Sequence, residues 1–218
     1  MIKAIIQIVV LWGGMLCFSF TQKTQDTSAY QRSVTKLLIL RNTKMGSDTL
    51  QGADSLFAIL DNEIFPAWYG TPWDFNGISN VPGKGQIACG YFVSTTLKHA
   101  GFNLNRYHLA QQASAIITKE ICGEANTQTF HGFDHLIAYL KSKNNAFFVV
   151  GLDYHVGFIV VKNGEPFFVH SDYLGGNVIR ERVATSESLK SSQGFVLGEL
   201  SNNPELLNKW HKGVKIYE

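Results

Sequence analysis

Between residues 28 and 60, apolar positions recur at helical spacing, as in Val34, Leu37 and Leu38 and again in Leu56, Phe57 and Leu60, which predicts two helices. Gly46-Ser47-Asp48 interrupts the period, and Ser47 or Asp48 can cap the second helix. The period then vanishes. Over residues 65–85, Pro66, Trp68, Tyr69, Trp73 and Phe75 are interspersed with glycines and no repeat survives. Loops this long in compact domains commonly carry function. So many aromatics argue against disorder, and we read the segment as one wall of a cleft. Helical spacing returns near Ile87 and runs to Gly101, a natural C-terminal cap, then recurs over 109–121 and 133–143. Beyond Asn144-Asn145 the pattern is that of strands: 147–152, 155–162, 166–171 and 194–200 are rich in Val, Ile and Phe. Lys162-Asn163-Gly164-Glu165 joins two of them through Asn-Gly, the strongest short hairpin signal. Asn203 before Pro204 marks the start of a terminal helix. Helices followed by an antiparallel sheet make this an α+β chain.

Composition narrows the class. Hydrophobic residues make up 45% and charged residues 17% of the 218, which suits an ordered globular domain. A formal net charge of +2 with scattered basic residues leaves no electrostatic footprint for nucleic acid. Lys3 followed by the nearly uncharged run 4–20 and a polar stretch predicts a secretory signal peptide over residues 1–21. The apolar run is short for a membrane span. A lipoprotein would use Cys17, but bulky Leu16 precedes it. We therefore expect a secreted or periplasmic protein with no membrane span after cleavage. It would be one domain over 22–218, with a helical extension at about 28–60. Only Cys89 and Cys122 remain after cleavage, and in an oxidising compartment they can pair.

Two segments carry candidate chemistry. Cys89, Phe92, Val93, Leu97 and Ala100 share one face of a helix whose first residue is Cys89. A thiol there lies in the positive end of the helix dipole, which favours the thiolate. Gly90 keeps the neighbouring backbone N–H groups open to an oxyanion. With a two-residue Asn163-Gly164 turn, His155 falls opposite Asp172 and His170 opposite Gly157. His155, His170 and Asp172 then share one face of the hairpin. A nucleophilic thiol needs a base, and the base needs a group that fixes its tautomer. Cys89 is the candidate nucleophile, His155 the base, and His170 or Asp172 the orienter. His131, Asp134 and His135 lie three and four residues apart and could share one helical face, but no further ligand is identifiable, so no metal is expected. His99 and His108 read as surface residues.

The stretch Ala88-Cys89-Gly90-Tyr91-Phe92-Val93 resembles the nucleophile helix of NlpC-type cell-wall cysteine peptidases. His155-Val156-Gly157-Phe158-Ile159-Val160 is similar to their histidine strand, and Phe168-Val169-His170-Ser171 to the strand of their third polar residue. The resemblance spans residues 85–172. It implies a papain-like fold with the nucleophile helix packed on an antiparallel sheet, and hydrolysis of amide bonds in peptidoglycan stem peptides. No cofactor is called for. Cys89, His155 and His170 would be the catalytic residues, with Tyr69 a counterpart of the tyrosine that helps form the family's oxyanion site. The family has Asp and Ser on either side of the cysteine where this chain has Ala88 and Gly90, which bears on peptide specificity. Transglutaminase-like enzymes share a Cys-His-Asp order that Asp172 would complete. A secreted module that only binds ligand is the non-enzymatic alternative, and an inhibitor or immunity partner is left open.

Overall fold

The computed structural model describes residues 27–43 and 49–216. The expected signal peptide, Cys17 and the Gly46-Ser47-Asp48 break lie outside the described residues. Helices α1 (Thr27–Asn42) and α2 (Thr49–Ile59) come first. A π-helical turn, Leu60–Ile64, carries α2 onward into α3 (Phe65–Trp68). The start of the aromatic segment is thus helical: Phe65 and Trp68 are fully buried core residues. The extension also belongs to this core, because Trp68 Nε1 donates to the Tyr30 hydroxyl of α1 (3.0 Å), which also bonds His99 Nδ1 (2.7 Å). His99 is therefore not a surface residue. Burial, aided by the charges of Arg106 and Lys98, lowers its pKa to about 4.

Helix α4 (Cys89–His99) follows, then α5 (Arg106–Ala110) and α6 (Ser114–Cys122). Where one helix is expected over 109–121, the chain breaks after Ala110, and Asn105 caps the first piece by accepting from Tyr107 and His108 N–H. The remaining elements are β1 (Thr127–His131), α7 (Phe133–Lys141), β2 (Ala146–Gly151), β3 (Val156–Lys162), β4 (Glu165–Asp172), β5 (Asn177–Arg182), α8 (Glu187–Lys190), β6 (Gly194–Glu199) and α9 (Pro204–Lys212).

The strands form a six-stranded antiparallel sheet in the order β1-β6-β2-β3-β4-β5. Asn163 and Gly164 both adopt positive φ (52° and 78°), the conformation a two-residue hairpin needs, so Lys162 pairs with Glu165 as the Asn-Gly signal predicts. Strands β3 and β4 are apolar on both sides because each face of the sheet is covered. Val156, Phe158, Val160 and Val169 pack with Leu37, Phe92 and Trp210 on one side. Ile159, Val161 and Phe168 pack with Leu136, Leu140 and Leu189 on the other. Strands β1 and β5 were not expected: their outer positions are polar and only half-buried, so apolar alternation is weak. Among the described residues, no helix is long and apolar enough to cross a membrane.

Candidate active site

Helix α4 begins at Cys89 because Ala88, in extended conformation, supplies the first helical acceptor to Phe92 N–H and no capping side chain. The first-turn N–H groups are thus left to other partners. The backbone N–H groups of Val156, Gly90 and Cys89 itself favour the Cys89 thiolate. Val156 immediately follows His155 in the chain. Burial pushes the Cys89 thiol above its ordinary value, and these N–H groups offset it only in part. The dipole argument from the sequence anticipated the opposite direction. Partial burial of the helix start is what reverses it.

His155 is 3% exposed and His170 fully buried. His155 Nε2 and His170 Nδ1 are 2.8 Å apart, and His170 Nε2 lies 3.1 Å from Glu181 Oε1 on β5. Gly157 makes this possible: a Cβ there would lie 2.6 Å from the Phe168 ring and 2.8 Å from His170 Cβ. The His170 ring stacks on Phe168 at 3.9 Å and 17°. Burial, and secondarily the neighbouring His170, hold His155 well below the usual imidazole pKa. Thiol and base are therefore both neutral at rest. Burial alone would raise the Glu181 carboxyl, but hydrogen bonds from His170 and Ser186, with the charges of His170 and Lys190, bring it below its ordinary value.

His155 and His170 are thus brought together, Cys89 meets the backbone of the residue after His155, and Asp172 lies outside the histidine pair. Its carboxylate accepts the N–H groups of Leu174 (3.0 Å) and Gly175 (2.7 Å) and the Ser188 hydroxyl (3.3 Å), closing the turn into β5. Tyr69 serves another cluster: its hydroxyl engages Arg180, which also pairs with the buried Asp61. Gly90 has a packing reason that the sequence does not reveal, since a Cβ there would lie 2.4 Å from the Ala110 carbonyl oxygen. Glu181 escaped sequence reasoning. Gly175-Gly176 followed by the mixed run 177–182 was its only signal, because pairing of that run with β4 sets Glu181 beside His170 on one face.

The aromatic segment is pinned to the sheet rather than loose. Trp73 N–H donates to Gly176 O, Ile87 N–H to Pro72 O and Ala88 N–H to Gly77 O. The Ser171 hydroxyl donates to Ile87 O (2.6 Å). Buried Arg106 holds its far side through Asn80 Oδ1 (2.9 Å) and Ile78 O (2.7 Å). Trp73 comes to rest 6.4 Å from Tyr173, whose ring lies 5.2 Å from that of His155. A separate cavity of about 1200 Å³, bordered by Arg32, Lys36, Glu63, Tyr69 and Lys84, lies along α1 and does not include Cys89 or either buried histidine.

Cys89 and Cys122 are both free thiols. His135 Nδ1 is 2.9 Å from the His131 carbonyl on the surface. Among the described residues no group of three or more His, Cys, Asp or Glu could hold a metal. The chain matches no known family model, no curated protein and no solved structure.

Proposed function

We propose that this chain is an exported thiol hydrolase of the papain-like, NlpC-type kind that cleaves amide bonds, with peptidoglycan stem peptides as the substrate class. The observation that carries the reading is the buried pair of His155 Nε2 and His170 Nδ1 at 2.8 Å, next in the chain to Val156, whose N–H favours the Cys89 thiolate. With Nε2 engaged, His155 has Nδ1 left to receive the thiol proton. As sulfur attacks the carbonyl carbon, that proton passes to Nδ1, and the Cys89 N–H can turn to the developing oxyanion. Collapse of the intermediate breaks the C–N bond, and His155 returns the proton to the leaving amine. Water, deprotonated by the same nitrogen, then releases the acid and restores the thiol.

Because thiol and imidazole are both neutral at rest, proton transfer accompanies attack instead of preceding it. The engagement of Asp172 in its turn weighs against a transglutaminase-like Cys-His-Asp arrangement, and the free Cys89 weighs against a disulfide-locked binding module. Hydrolysis of cell-wall fragments carrying stem peptides tests the reading. Cys89→Ala and His155→Ala each lower kcat by at least about 100-fold while the thermal midpoint stays within a few degrees. In the wild type, the acid limb of kcat/KM falls below pH 6.5, since the base stays neutral to lower pH than a free imidazole. Turnover that survives Cys89→Ala sinks the mechanism.

A further inference from the structure

We infer that Glu181 is a positioning residue of this site, setting through His170 the proton tautomer that makes His155 Nδ1 the basic nitrogen. The inference rests on the reading of Cys89 and His155 just given. An ionised carboxylate accepts hydrogen bonds and cannot donate them. Glu181 Oε1 lies 3.1 Å from His170 Nε2, so that nitrogen carries the hydrogen. Where that is the one hydrogen on the His170 ring, its Nδ1 presents a lone pair. The 2.8 Å contact to His155 is a hydrogen bond only if His155 Nε2 carries its hydrogen, which leaves Nδ1 bare. Glu181 on β5, His170 on β4 and His155 just before β3 thus dictate one proton arrangement, and it is the one a general base for Cys89 requires. The reverse arrangement, with hydrogen on His155 Nδ1, cannot take a proton from a thiol.

Nothing else near the two rings supplies this direction. His155 packs against the rings of Phe168, His170 and Tyr173, and His170 stacks on Phe168. Water is largely excluded from both rings. The groups facing Glu181 are the His170 ring from β4, the Lys190 ammonium from α8 and the Ser186 hydroxyl. All three hold the carboxylate ionised, which keeps it an acceptor.

The test is the nitrogen spectrum of the two rings in the full chain with ¹⁵N-labelled histidine at pH 7, in wild type, Glu181→Ala and Glu181→Gln, beside steady-state kinetics. The wild type shows hydrogen on Nε2 of both His155 and His170 and bare Nδ1 on both. Glu181→Ala mixes the tautomers of both rings and lowers kcat about 100-fold with KM within about twofold. Glu181→Gln, which keeps the size and one acceptor, moves the same signals the same way and loses less, so it stands in if the alanine variant does not fold. Wild-type spectra that place hydrogen on His170 Nδ1, or variants that keep wild-type tautomers and kcat, overturn the role of Glu181. The spectra are read without substrate, so they judge Glu181 even where Cys89→Ala retains turnover and the hydrolase reading falls.

Discussion

Cys89 and Cys122 are the same side chain placed at opposite ends of two helices. Cys89 opens α4, where uncapped N–H groups converge on its sulfur, and it is only partly covered. Cys122 closes α6, where carbonyls dominate, and is 3% exposed against Gly198 of β6. Burial raises both thiols, but at Cys122 the rise is far larger and Glu199 adds to it, with only the Val149 N–H opposing. Asn203 Nδ2 takes the Cys122 carbonyl at 2.7 Å, locking that helix end to the start of α9. A cysteine's chemistry is thus set by which helix end it occupies and by what lies next to it. Cys122 fills space; Cys89 lies at a helix start against the backbone of Val156, the residue after His155.

The largest expected contrast is in labelling. Iodoacetamide at pH 8, read by mass spectrometry on the native protein, modifies Cys89 at least about 100-fold faster than Cys122. Equal rates would dissolve the distinction between the two sites. Glycines beside each thiol give the next effect. Gly90→Ala drives a methyl into the Ala110 carbonyl, moves α5 off the first turn of α4, and costs about 1–3 kcal/mol together with activity. Gly198→Ala places its methyl 2.6 Å from the Cys122 sulfur and costs about as much while sparing kcat. Adding Cys122→Ala to Gly198→Ala restores part of that stability in urea melts. A Gly90→Ala variant whose Cys89 labels at the wild-type rate would show that the α4–α5 contact does not hold that thiol.

The smallest effect comes from the far end of α4. His99, with its pKa lowered to about 4, is neutral in the fold, whereas an unfolded chain protonates it near 6.5. Between those values the unfolded state binds the extra proton, so stability present above pH 6.5 is lost as pH falls toward 4. Partial exposure limits the loss to about 1–2 kcal/mol. His99→Gln should flatten that part of the stability profile; an unchanged slope would mean that another group controls it.

Local rules read much of this molecule from its residues. Asn163-Gly164 defined the hairpin register, and the register put His155 and His170 on one face, because alternation in a strand is strict. The apolar stripe of α4 located Cys89 at its start, and Asn203-Pro204 located the start of α9. Each of these depends on neighbours a few positions apart. Choosing between His170 and Asp172 needed more, since both lie on the face of His155; a turn that consumes the Asp172 carboxylate made the selection.

Glu181, the pairing of Tyr69 with Arg180, the packing demand on Gly90 and the direction of the Cys89 shift were beyond local rules. Each depends on groups far apart in sequence that meet only when β5 joins the sheet, α5 docks on α4 and the helix start is covered. Periodicity and turn chemistry act over a few residues and so can be read from the chain. Desolvation and long-range hydrogen bonds depend on the whole packed structure, and here they decide which polar groups surround the thiol and the two buried histidines.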